Sequence, residues 1–193
     1  PSCDRIEPDC RSFGRCGGCD FRNVSYDAEL RYKTVRVRNA FRKIAGIRDI
    51  EVNACIPCNT MNSYRNKSEF SVCRLGDGSV ALGFLGSGSS KFVEADECRL
   101  QTEVANKALN AVKEVLSMGL VDVVSDEGVN QKSDVGVHHV IIRTSYLNKE
   151  TMIVLISSSK DFLAFEKLTE ILSEKMEEIK SVYYVCSPND RWN

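Results

Sequence analysis

The sequence is poor in histidine, almost neutral in charge and free of long apolar runs. Its 193 residues carry a formal net charge of −1, which argues against binding nucleic acid through overall charge alone. The two histidines, His138 and His139, are neighbours in a predicted strand. On a regular strand their side chains point to opposite faces, so they cannot hold one metal together.

Membrane and export signals are also missing from the sequence. It contains no apolar run of about 18 residues, the length that would predict a membrane helix, and no basic and then apolar leader. We therefore expect a soluble, cytoplasmic protein with no membrane partner. With 42% hydrophobic and 27% charged residues, the composition is that of an ordinary globular protein.

Cysteine, by contrast, is abundant. The odd count of nine cysteines and the missing secretory signal argue against a disulfide framework. Cys10, Cys16 and Cys19 lie within ten residues, with two glycines between the last two, so one loop can bring three thiolates round a metal centre. An iron-sulfur cluster takes a fourth thiolate, and spacing does not choose among the remaining candidates: Cys3, Cys55, Cys58, Cys73, Cys98 and Cys186.

A second C-x2-C pair offers a rival function. Cys16, Cys19, Cys55 and Cys58 together have a spacing typical of zinc sites, which would indicate a zinc-binding interaction module without an enzyme. This interpretation leaves Cys10 and Cys98 unexplained, and we interpret Cys55 and Cys58 as an incidental pair in a loop. An iron-sulfur electron carrier is a third hypothesis, weakened by the size and basic charge of the region that follows the cysteine loop.

Five motifs, in order and in approximate spacing, resemble the RumA-like family of iron-sulfur rRNA (uracil-5-)-methyltransferases. They are the cysteine motif at 10–19, Tyr-Asp-Ala-Glu-Leu-Arg-Tyr-Lys at 26–33, Tyr-Arg-Asn-Lys-Ser-Glu-Phe at 64–70, Gly-Phe at 83–84 and Asp-Glu-Cys-Arg-Leu-Gln at 96–101. In that family the last motif carries the fourth cluster ligand. The resemblance therefore implies a 4Fe-4S cluster bound by Cys10, Cys16, Cys19 and Cys98.

The same resemblance implies a longer parent enzyme. Family members carry a small β-barrel RNA-binding domain, a cluster-bearing central region and a methyltransferase domain that binds S-adenosylmethionine. The sequence lacks the motifs of the last domain, so we expect a fragment that is not catalytic alone. Its implied partners are RNA, ribosomal RNA in this family, and the methyltransferase domain of the same protein. Cys186 precedes Ser-Pro but is misplaced for the family's nucleophile, and we interpret it as a buried strand residue.

Positive charge is concentrated in one predicted helix. Between residues 22 and 48 there are eight basic and two acidic residues, and a helix with such a face can follow a phosphate backbone. The alternative is a basic face exposed only to water. Arg65 and Lys67 lie in the Tyr-Arg-Asn-Lys motif. The RNA-contact candidates are Arg31, Arg38, Arg42, Arg65, Lys67 and Arg143.

Periodicity and turn residues predict an α+β fold with an antiparallel β-sheet flanked by helices, preceded by an iron-sulfur cysteine loop at 1–24. Residues 25–193 form the predicted central domain, to which Cys98 ties the loop. A change of parity near Glu69 predicts a bulge or turn there. The predicted elements are helices at 25–45, 103–118 and from 159 or 161 to 176, hairpins at 66–85 and 137–156, and a strand at 181–186.

Overall fold

The structure, a computed structural model, describes residues 2–89, 91–125, 135–161 and 163–187. The chain divides into two compact units, residues 1–13 with 18–61 and residues 14–17 with 62–193. No helix within the described ranges is long and apolar enough to cross a membrane. The elements are α1 (Tyr26–Lys43), β1 (Lys67–Arg74), β2 (Val80–Leu85), β3 (Phe92–Glu94), α2 (Glu103–Ser117), β4 (Val137–Thr144), β5 (Thr151–Ser157), α3 (Phe165–Lys175) and β6 (Ile179–Cys186).

The first unit contains α1 and irregular segments on both sides of it. The N-terminal segment closes on itself through a bridge between Arg5 and Val24 and a hydrogen bond from the Ser25 N–H to the Asp4 carbonyl at 2.9 Å. The predicted helix is confirmed. Little of this helix is buried, however: among the residues of α1 only Ala28 is buried, and Val37 is 47% exposed.

The second unit is built on a six-stranded sheet with the order β3-β2-β1-β4-β5-β6. The α+β prediction and both hairpins are confirmed, but the prediction of an antiparallel sheet is wrong at one edge. β6 runs parallel to β5, with Leu155 opposite Tyr184. A parallel neighbour requires a crossover connection, and α3 supplies it between these two strands. The sheet is therefore mixed.

The core lies between one face of the sheet and two helices. Phe70, Val140 and Leu155 stand in register on neighbouring strands and are all fully buried. They belong to one apolar cluster with residues of α2 and α3. The helix predicted at 103–118 is confirmed as α2, and Gly119 follows its end at φ +72°. Thr102, which the sequence analysis did not single out, caps the helix by accepting the Ala105 N–H at 3.1 Å.

The predicted bulge near Glu69 is wrong. β1 stays in continuous register with β4 from Lys67 to Ser71, and the change of parity arises because Ser71 and Cys73 are buried on the opposite face. The bulge lies instead in β4, between Val137 and His139. There it breaks the alternation assumed for the two histidines, and the Nδ1 atoms of His138 and His139 lie 2.7 Å apart.

Two smaller predictions also need correction. α3 begins at Phe165, later than expected, because Asp161 uses its Oδ1 to accept the Leu163 N–H in the turn before the helix. Cys186 ends β6 as predicted but is only half-buried. Residues 126–134, a polar and turn-rich stretch that the sequence predicts to be a connection between the second helix and the second hairpin, lie outside the described residues.

Gly83 permits the close pairing of β2 with β3. A Cβ at this position would strike the Val93 carbonyl and lie 2.9 Å from the Glu94 Cα, whereas a Cβ at Gly76 would meet nothing within 4 Å. We expect Gly83→Ala to lower the free energy of unfolding by about 1–3 kcal/mol through overpacking. Urea denaturation measures the change. Gly76→Ala is the matched control, and equal stability of the two variants would contradict the assignment.

Candidate cysteine site and nucleic-acid interface

The segment that carries Cys98, residues 96–101, is held by a side-chain amide of α2. Asn106 accepts the Cys98 N–H on its Oδ1 at 2.9 Å and donates from Nδ2 to the Cys98 carbonyl at 3.2 Å. One side chain thus satisfies both backbone groups of the candidate ligand. Because α2 packs into the core, this pair of hydrogen bonds fixes the backbone of Cys98 to a rigid element.

The strand-like segment before β1 holds the Cys98 segment from another side. The Ser63 N–H donates to the Arg99 carbonyl at 2.9 Å, and the Arg65 N–H donates to the Leu100 carbonyl at 2.7 Å. Arg65 also forms an isolated parallel bridge with Gln101. The Tyr-Arg-Asn-Lys and Asp-Glu-Cys-Arg-Leu-Gln motifs are therefore joined backbone to backbone.

Cys16 belongs to the same unit as Cys98 and is anchored at the end of β2. It forms a bridge with Gly86, and the Gly17 N–H donates to the Leu85 carbonyl at 3.1 Å. A Cβ on Gly17 would lie 3.2 Å from that carbonyl oxygen, so a glycine suits this close approach. The glycine predicted to let the cysteine loop bend thus also lets it pair with β2.

The Cys98 thiol is partly buried, and its surroundings shift its pKa. Burial raises the pKa of Cys98 above its ordinary value, and the thiol of Cys16 raises it further. The backbone N–H of Leu100 and the positive charge of Arg65 act in the opposite direction. Desolvation is the largest of these effects on the pKa of Cys98, and the effect of Cys16 is the smallest.

The other ligands of the predicted four-cysteine cluster and of the alternative zinc site lie in the first unit. Cys10 and Cys19 are half-buried there, as is Cys55, whereas Cys58 is exposed. In the described parts of the chain none of the nine cysteines forms a disulfide. Nor do the described residues contain a group of three or more histidine, cysteine or acidic side chains placed to hold a metal ion. The four-cysteine cluster and the zinc site both stay predictions.

Two of the predicted RNA contacts lie side by side on adjacent strands of the sheet. Lys67 of β1 is in direct register with Arg143 of β4, and both side chains are exposed. Neither forms an ion pair with another described residue. Like charges directly opposite each other on a sheet are destabilising, so a bound anion would relieve their repulsion. Arg65, which precedes them along the chain, is half-buried.

The arginines of α1 differ in their availability. Arg31 is bound to Asp4, with Nη2 2.6 Å from the carboxylate Oδ1, and the Tyr32 hydroxyl donates to the same carboxylate at 2.8 Å. Arg38 and Arg42 are exposed on the same side of the helix, one turn apart. The basic character counted from the sequence is thus partly neutralised at Arg31 by an acidic residue 27 positions away.

A polar cleft of about 580 Å³ opens beside Cys98. Sequence reasoning did not find it, because its walls come from the start of α2 and from two separated loops. The feature shared by its lining is the abundance of side-chain amides. The lining residues are Asn62, Ser63, Asp96, Glu97, Cys98, Arg99, Gln101, Glu103, Asn106, Lys107 and Asn110.

Comparison with known proteins finds sequence similarity to RNA methyltransferases. No protein-family model matches the chain. The chain is 33% identical over 182 residues to an uncharacterized RNA methyltransferase of Fusobacterium nucleatum and 31% identical over 187 residues to one of Halalkalibacterium halodurans. These alignments cover 93% and 96% of the chain but 38% and 39% of the relatives. The chain thus spans about two-fifths of the length of these curated relatives.

The fold is shared with a solved enzyme. The whole chain superposes on 40% of the Pyrococcus abyssi tRNA (uracil-54, C5)-methyltransferase, solved in complex with S-adenosyl-L-homocysteine, with a TM-score of 0.66. The sequence identity is 20%. At this identity the similarity establishes a common fold.

The Asn106 contacts predict a local effect at Cys98. Asn106→Ala removes the acceptor of the Cys98 N–H, a hydrogen bond worth about 1 kcal/mol, so we expect exchange of that amide hydrogen to accelerate several-fold. Amide exchange measured by NMR tests this. Asn110→Ala, exposed one turn further along α2, is the matched control. Unchanged exchange at Cys98 in Asn106→Ala would show that the amide does not hold the segment.

Proposed function

We propose that the chain is the RNA-binding and 4Fe-4S central region of an S-adenosylmethionine-dependent RNA (uracil-5-)-methyltransferase that modifies ribosomal RNA. The observation that carries the proposal is the similarity of more than nine-tenths of the chain to RNA methyltransferases. The uracil-5 chemistry is supported by the sequence motifs and by the fold shared with a tRNA (uracil-54, C5)-methyltransferase. Catalysis and S-adenosylmethionine binding are assigned to parts of the parent protein outside this chain.

The task of this chain in the reaction is to hold RNA. Lys67 and Arg143 form an exposed cationic pair, and a phosphate placed between them would relieve their mutual repulsion. Such contacts position RNA without reading its sequence. Arg65 lies beside them at the bridge to Gln101, and Arg38 and Arg42 supply further exposed charge on α1.

Cys10, Cys16, Cys19 and Cys98 are the proposed cluster ligands. The donor set fits in its chemistry, since all four are partly accessible thiols outside any disulfide. A bound 4Fe-4S cluster would supply cross-linking of these thiolates and no electron, because methyl transfer to carbon involves no redox step. Backbone contacts to β2 and α2 already restrict Cys16 and Cys98, which lowers the entropy lost when a metal group binds them.

The cationic pair gives the test of the RNA-binding role. In Lys67→Ala and Arg143→Ala we expect weaker binding of a labelled single-stranded RNA of mixed sequence, because each variant loses a phosphate contact. The slope of log affinity against log salt should fall by about 1 in each. Fluorescence anisotropy across a salt series provides the measurement. Lys180→Ala, an exposed lysine of β6, is the control. RNA binding indistinguishable from that of the control in both variants would remove this surface from the proposal.

A further inference from the structure

The face of the sheet opposite to α2 and α3 carries an exposed aromatic ring. Tyr184 of β6 packs against the core cluster, and its hydroxyl donates to the Ser159 carbonyl at 3.1 Å. Because side chains alternate along a strand, the preceding residue, Tyr183, points to the opposite face, and it is 53% exposed. We call this side of the sheet the open face; it includes Lys67, Ile141, Arg143, Met152, Val154 and Tyr183.

Strand register places Tyr183 close to the cationic pair. Lys67 is opposite Arg143, and Arg143 is opposite Met152, so these three residues form one row across the open face. The next row along the strands contains Glu69, Ile141, Val154 and Tyr183. With strands about 4.8 Å apart and residues rising about 3.3 Å each, the Cα atoms of Arg143 and Tyr183 are about 12 Å apart. Single-strand sites in proteins cover about four nucleotides or more, so one RNA strand can reach both residues.

The surface between the cations and the tyrosine is aliphatic. Ile141, Met152 and Val154 are half-buried on the two strands that separate β1 from β6. A sheet face that meets water alone usually carries polar residues at such positions. Cations for phosphates together with an exposed ring for bases are the combination by which proteins bind single-stranded nucleic acid. The open face has both, with an apolar floor between them.

An acidic residue on the same face sets the direction of the path. Glu69 is exposed on β1, in the row after Lys67 and at the end of that row farthest from Tyr183. Its negative charge repels phosphate from this part of β1. A strand held by Lys67 and Arg143 is therefore favoured to continue across β5 toward β6, where Tyr183 lies.

We propose that the open face binds single-stranded RNA and that Tyr183 stacks on one of its bases while Lys67 and Arg143 hold its phosphates; this rests on the proposed function. The cationic pair selects an anionic partner, and the exposed ring selects one with planar groups. Every base has a flat face, so Tyr183 adds affinity without base preference. Its contribution is not ionic, whereas contacts to phosphate weaken as salt rises.

The test compares Tyr183→Leu, which keeps an apolar side chain but removes the ring, with Tyr183→Phe, which keeps the ring. We expect Tyr183→Leu to bind a ten-nucleotide RNA of mixed sequence about tenfold more weakly than the wild type, the effect of one lost stacking contact. Tyr183→Phe should bind like the wild type, and the salt slope should stay unchanged in both. Fluorescence anisotropy provides the measurement. Tyr146→Leu, at a tyrosine of matched exposure in the turn after β4, is the control.

An abasic analogue of the same length isolates the stacking contact. It offers the same number of phosphates and no base, so Tyr183→Leu and the wild type should bind it alike. In the wild-type chain with ¹³C-labelled tyrosines, the RNA should shift the ring proton resonances of Tyr183 upfield, and the abasic analogue should leave them in place. The spectrum of Tyr183→Phe assigns these resonances. This measurement on the wild type does not depend on how any variant folds.

The outcomes separate this inference from the proposed function. RNA binding that requires Lys67 and Arg143, but neither weakens in Tyr183→Leu nor shifts the Tyr183 ring, would overturn the stacking contact and leave the RNA-binding role standing. Equal losses in Tyr183→Leu and Tyr183→Phe would also overturn it, because the ring would not be the cause. A wild-type chain that binds no RNA would overturn both the RNA-binding role and the stacking contact.

Discussion

The candidate site depends on the two hydrogen bonds between the Asn106 side chain and the backbone of Cys98. It joins an otherwise irregular segment to α2, whose buried face is part of the core. The same segment pairs with the residues before β1, so the candidate metal ligand, the polar cleft and the start of the cationic strand form one connected structure. Gly83 allows β2 to pair closely with β3, and the Cys98 segment follows β3 directly along the chain.

Much of the fold could be predicted from local sequence signals. Apolar periodicity and end signals located α1 and α2, and turn glycines together with alternating strands located both hairpins. The direction of β6 could not be predicted, because parallel and antiparallel edge strands have the same local pattern and differ only in how α3 packs. The false bulge near Glu69 has a related cause, since residues on both faces of β1 are buried and parity no longer reports the core face.

The candidate site was less accessible to sequence reasoning. Spacing selected three cysteines, but the fourth came only from a family resemblance. The contacts that decide the environment of each group join distant residues, as Asp4 does to Arg31 and Asn106 to Cys98. No periodicity or composition encodes such partners. Charge counting therefore overestimated the available charge of α1 and gave no sign of the polar cleft beside Cys98.

Metal analysis after anaerobic purification is the most direct test of the central assignment, that Cys98 completes an iron-sulfur site in an RNA methyltransferase. Iron, sulfide and zinc are measured in the wild type, Cys98→Ser and Cys58→Ser. We predict about four iron and four sulfide per chain with broad visible absorption, lost in Cys98→Ser and kept in Cys58→Ser. One zinc per chain in a colourless protein, lost in Cys58→Ser and kept in Cys98→Ser, would contradict the account and establish the zinc module instead.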